Sequence, residues 1–97
     1  MYAIALLRYR RPLEEVATVV DAHRAYLRGL EQRGLLLVSG PLDPRTGGVL
    51  LLRVPDGSAR ETLDRIRDED PYTRTGMAQY ELLPWMPNLG LEKLDAL

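Results

Sequence analysis

Apolar residues gather along the chain in four short runs, with two long amphipathic stretches between them. The first run, "YAIALLRY" at 2 to 9, is short and apolar and ends in charge, which predicts a strand. In "RPLEEVATVVDAHRAYLRGLEQRG", from residue 11 to 34, Val16, Val20, His23, Leu27 and Leu30 recur at spacings of 4, 3, 4 and 3. That period places them on one face of a helix, and Gly34 marks its stop. Asp21 could cap a second start, so the stretch also reads as a short helix followed by a longer one. "LLLVSG" at 35 to 40 and "GGVLLLRV" at 47 to 54 read as strands, and the turn-rich "PLDPRT" between them predicts an antiparallel hairpin. "SARETLDRIRDE" opens on Ser58 with Glu61 three residues on, the pattern of a capping box. "MAQYELLPW" at 77 to 85 reads as a fourth strand, and the last six residues add a helical turn to the tail.

The order β-α-β-β-α-β predicts an α+β, ferredoxin-like domain spanning 1–97, with a four-stranded antiparallel sheet and two helices on one face. The strands do not alternate as a half-exposed sheet should. In the first strand Tyr2, Ile4 and Leu6 point one way and Ala3, Ala5 and Leu7 the other, and both sets are apolar. The second and third strands repeat this. Two helices can cover one face only, so the other calls for a second copy: a homodimer packed sheet to sheet about a two-fold axis. The plainer reading is that a Leu-rich composition inflates the pattern.

The second helix ends in "DEDPY", residues 68 to 72. Acids at a helix C-terminus are disfavoured by up to ~1 kcal/mol each, so something else must favour them. Ala59, Leu63 and Ile66 mark the inward stripe, and Asp70 falls four residues on, while Asp68 and Glu69 point away. Pro71 pushes Asp70 out of helical geometry and ends the helix at Glu69. In the expected topology Asp70 and His23, which also interrupts an apolar stripe, converge at one edge of the sheet. A buried carboxylate needs a partner, and an imidazole is a natural one. The plainer readings are a core histidine and a helix-end turn.

Composition narrows the chemistry. The chain has 97 residues, 13 basic against 14 acidic, a net charge of −1 and no Cys. Disulfides, thiol chemistry and zinc ribbons are excluded, and the charge balance argues against nucleic-acid and membrane partners. No apolar run approaches the ~20 residues of a membrane span. The first ten residues lack the pattern of a secretion signal, so a cytoplasmic protein is expected. One His and no Cys give no metal-ligand spacing, so neither metal nor other cofactor is expected.

Other polar groups share the edge with His23 and Asp70. "SGP", Ser39, Gly40 and Pro41, is a plain strand exit or a ligand-binding lip offering a hydroxyl and backbone N–H groups. Gly47 and Gly48 match no phosphate-loop pattern. Arg8, Arg10 and Arg11 read as solvated charge. A Ser39–His23–Asp70 triad can be assembled on paper, but no nucleophile-elbow motif accompanies it.

"HRAYLRGLEQRGLLLVSGPL" at 23 to 42, "GG" before the third strand, "DPY" at 70 to 72, Gly76 and "LLPW" at 82 to 85 carry a resemblance. In combination and order they resemble the YciI-like (YCII-related) proteins of the dimeric α+β barrel superfamily, over nearly the whole chain. The resemblance implies a ferredoxin-like subunit paired sheet to sheet, with His23 and Asp70 as the active-site pair. It also implies chemistry on flat, ring-shaped compounds, since some relatives process hydroxylated aromatics by elimination and related barrels act as isomerases or monooxygenases. The expected function is a small cofactor-independent enzyme of lyase or isomerase type. His23 would serve as general acid or base, Asp70 as its orienting partner, and Ser39, Gly40 and Pro41 as pocket lining. The alternative is a dimeric module that binds a small ligand without turnover.

Overall fold

The computed structural model describes residues 1–97. β1 (Tyr2–Tyr9) leads through a short α1 (Leu13–Val16) into α2 (Val20–Gln32). β2 (Leu36–Pro41) and β3 (Gly47–Arg53) form the expected antiparallel hairpin. A single 3-10 turn (Asp56–Ser58) precedes α3 (Ala59–Glu69), which is followed at once by a one-turn α4 (Pro71–Arg74). β4 (Ala78–Trp85) and a C-terminal α5 (Leu91–Asp95) complete the chain. The sheet runs β2-β3-β1-β4 with every neighbouring pair antiparallel. This is the split β-α-β order expected from the sequence.

The first helical stretch is broken in two. Thr18 Oγ1 donates to the carbonyl of Glu15 at 2.7 Å, a local bond that competes with helix propagation. Asp21 does not cap the second start. Val19 holds that position without a side-chain bond, and Asp21 sits in the first turn, where its charge still suits the helix N-terminus. The capping box at Ser58 does not form either. Ser58 belongs to the 3-10 turn, and its carbonyl accepts from Thr62 Oγ1 at 2.7 Å.

One face of the sheet supplies the core. Ala3, Ala5 and Leu7 of β1 and Leu50 and Leu52 of β3 are buried beneath Val16, Leu30, Leu63 and Ile66 of the helices. At Gly47 the strands themselves come close: a Cβ there would lie 1.8 Å from the Leu7 carbonyl oxygen, so only glycine fits.

The other face is apolar and largely open. Ile4, Leu6, Val49 and Leu51 lie on it half-buried, with Val38 at 56% and Trp85 at 40% exposure. α5 is a further element on this face, beyond the two helices that the sequence pattern predicts for the other. It covers one end, where Tyr2 donates to Asp95 Oδ1 at 2.6 Å and Arg53 donates to the Leu94 carbonyl at 2.7 Å.

Candidate active site

Asp70 has two local roles. It ends α3 with extended backbone (φ −65°, ψ 128°), and its side chain caps α4 by accepting from the Tyr72 N–H at 2.8 Å. Pro71 occupies the first helical position, where a missing N–H costs nothing. The cap explains why an acid stands at this junction: it faces the N-terminus of the next helix as well as the C-terminus of the last. "Asp-Pro" is itself the sequence signature of such a start, and the sequence reading missed α4 by treating the pair only as a stop.

The carboxylate is fully buried, at 0% exposure. Such a group is tolerable only when its oxygens are satisfied. Oδ1 accepts from the Tyr72 backbone and lies 2.9 Å from His23 Nδ1. Oδ2 accepts from the Tyr80 hydroxyl. Burial, and secondarily the charge and hydrogen bond of Asp70, push the Tyr80 phenol well above its usual value, so it stays a proton donor.

His23 comes from α2 and reaches Asp70 across the core, as the convergence of two interrupted stripes predicts. The ring is 8% exposed and is held flat against Tyr72, with centroids 3.8 Å apart and planes 9° apart. Tyr72 in turn meets Tyr9 edge to face at 6.0 Å. Burial, and then Tyr9, raise the Tyr72 phenol to about 12. With Nδ1 engaged by Asp70, Nε2 has no hydrogen-bond partner in the chain, and His23 lines the adjoining cavity. An Nδ1–H donated to a carboxylate leaves Nε2 with its lone pair, the form able to accept a proton.

The cavity has a volume of about 240 Å³. Apolar cavities near ~150 Å³ already hold benzene, and drug-sized ligands need ~300 Å³ or more, so the space suits a single substituted ring. Ser39, Gly40 and Pro41 all line it, beside His23 and Tyr72. Ser39 makes no hydrogen bond to His23, so no triad is assembled. Gly47 and Gly48 line it too, but close strand packing accounts for both. Arg8, Arg10 and Arg11 stay outside: Arg8 pairs with Glu81 at 3.8 Å and Arg10 donates to Gln79. The sequence reading missed Tyr9, Arg24 and Arg45 in the wall, and Tyr80 behind Asp70. Tyr80 was findable, because it shares the helix-facing parity of Ala78 on β4. No three His, Cys, Asp or Glu side chains cluster as a metal site.

The family model described as the YCII-related domain matches residues 2–86. The chain belongs to this family. Among solved structures it is similar to 5-chloro-2-hydroxyhydroquinone dehydrochlorinase from Burkholderia phenoliruptrix AC1100, in complex with 2,5-dihydroxybenzoquinone. The TM-score is 0.74 at 23% identity, covering 92% of this chain and 97% of that one. At that identity the likeness establishes the shared YCII-like fold. No curated protein matches the chain. No helix is long and apolar enough to cross a membrane.

Proposed function

We propose that this YCII-related protein is a small acid–base enzyme of lyase or isomerase type acting on a single-ring metabolite. His23 Nε2 takes a proton from the substrate, and the Asp70 carboxylate fixes the ring orientation and offsets the positive charge that develops on the imidazole. In an elimination, the electron pair of the broken bond forms a new double bond and the leaving group departs with its own pair. In an isomerisation, the proton returns from His23 to another carbon. Neither course calls on a cofactor. Ser39, Gly40 and Pro41 form the lip of the pocket.

One observation carries this reading: a buried histidine bonded through Nδ1 to a buried carboxylate lines a ring-sized cavity, and its other nitrogen has no partner in the chain. The dehydrochlorinase neighbour, a lyase of the same fold found with a ring compound, supports the reaction class. The open apolar face supports a homodimer, sheet against sheet.

The test is turnover of a panel of halogenated and hydroxylated ring compounds, followed by ultraviolet absorbance and halide release. The wild-type protein should consume at least one, and His23→Asn should lower kcat about a hundredfold or more. Tight binding with no turnover by the wild type would instead identify a ligand-binding module.

A further inference from the structure

The cavity wall carries a charge that the His23–Asp70 pair does not use. Of its 15 lining residues, Arg24 and Arg45 are cationic and none is an Asp or Glu. Asp70 lies behind His23 and is not part of the lining. Neither arginine has a carboxylate within 4.0 Å, whereas Arg8, Arg60 and Arg67 all do. Lack of a partner means little for an arginine on an open surface; here two of them line one concave, partly apolar site.

Arg45 is the better placed of the two. It stands on the loop between β2 and β3, and its Nε donates to the Tyr9 hydroxyl at 3.4 Å. Tyr9 meets Tyr72, and Tyr72 stacks on His23. Guanidinium, two phenols and imidazole therefore form one continuous wall. With Nε turned to Tyr9, the terminal nitrogens Nη1 and Nη2 have no acceptor in the chain. A planar guanidinium with free nitrogens matches a planar oxyanion, and such charge-assisted bonds are about twice as strong as neutral ones.

We infer that Arg45 anchors the oxyanion of a planar ring ligand, a deprotonated ring hydroxyl or a ring carboxylate, and so presents the ring to His23. The inference rests on the reading of this cavity as the substrate site. It specifies the substrate class: a ring that is already an anion when it binds. Arg45 and His23 line the same cavity of about 240 Å³, so a ring whose anion is held at Arg45 occupies the cavity that His23 also lines. Selection falls on charge, because an unpaired guanidinium is poorly served by a neutral ring of the same shape.

Calorimetric titration separates the possibilities without requiring turnover. The probes are 2,5-dihydroxybenzoquinone, an enolate anion at pH 7, benzoate, a ring carboxylate, and hydroquinone, a neutral ring of like size. At least one anion should bind more tightly than hydroquinone, and which one does so distinguishes ring oxygen from carboxylate. Arg45→Gln should weaken that anion about tenfold to a hundredfold, the loss of a hydrogen bond to a charged group, and leave hydroquinone unchanged. Arg45→Lys should recover part of the affinity, with a steeper salt dependence. Arg45 is exposed on a loop, so its variants should keep the wild-type melting temperature. Equal binding of anions and hydroquinone, no binding of either anion, or indifference to Arg45→Gln would overturn the inference. Anion binding that depends on Arg45, without turnover of any ring, would leave the anchor standing and remove the acid–base reading. Turnover that depends on His23 but is indifferent to Arg45→Gln would do the reverse.

Discussion

His23 and Tyr72 lie face to face, their ring centroids 3.8 Å apart and their planes 9° apart. The stack fixes the one rotation of the imidazole that its bond to Asp70 leaves free. The same residue therefore holds both members of the pair, since the Tyr72 backbone N–H also binds Asp70 Oδ1 at 2.8 Å. Tyr72→Phe keeps the ring and the N–H, so stability should change by less than ~1 kcal/mol. Tyr72→Ala removes a buried ring and should lower stability by about 3–5 kcal/mol in denaturant unfolding.

Tyr80 reaches Asp70 from the opposite side of the carboxylate. Its loss leaves Oδ2 buried without a donor. Tyr80→Phe should lower stability by about 1–3 kcal/mol while the fold persists. Unchanged stability would mean that water replaces the hydroxyl and that Tyr80 does not hold Asp70 in place.

The tyrosines give the protein an alkaline signature. Burial raises Tyr26 and Tyr72 to about 12 and pushes Tyr80 higher still. A folded value above the ordinary ~10 means that the unfolded chain releases protons the folded chain retains. These groups therefore contribute stability that is fully present below pH ~10 and is lost as pH rises through the folded values. Absorbance at 295 nm should show no ionisation of these three tyrosines near pH 10, and the denaturant midpoint should fall between about pH 10 and 12. A full five-tyrosine transition near pH 10 in folded protein would contradict the packing described.

Leu51 and Leu52 separate the two faces of β3. Leu52 is fully buried under the helices, and Leu51 lies half-buried on the open face. Light scattering should find a dimer at micromolar concentration. Leu51→Glu should give a folded monomer, and Leu52→Glu should unfold the chain, because an unpaired buried charge cannot be accommodated. A wild-type monomer would remove the sheet-to-sheet assembly.

Most of the fold was legible because period and order carry it. The 4-3 spacings of Val16, Val20, His23, Leu27 and Leu30, and of Ala59, Leu63 and Ile66, place the helix faces, and the β-α-β-β-α-β order leaves few topologies. The pairing of His23 with Asp70 followed from polar residues interrupting those stripes. Caps were less legible: Ser58 and Asp21 have the right chemistry, but Ser58 stands before α3 without a side-chain cap bond, and Val19 rather than Asp21 holds the start of α2. The cavity wall was least legible. Tyr9, Tyr72 and Arg45 meet only through tertiary packing, and an arginine in a loop looks like any solvated charge until the sheet places it beside a pocket.

The central claim is that His23 presents an unprotonated Nε2 to the cavity while Asp70 holds the proton on Nδ1. Long-range ¹H–¹⁵N NMR of the one histidine reads this directly, since no other imidazole is present. At a pH where the ring is neutral, Nδ1 should carry the proton and Nε2 should show the shift of a bare nitrogen. Addition of a ring ligand should move the Nε2 signal far more than that of Nδ1. A neutral ring protonated on Nε2, or an Nε2 signal indifferent to every ligand that binds the cavity, would contradict the account.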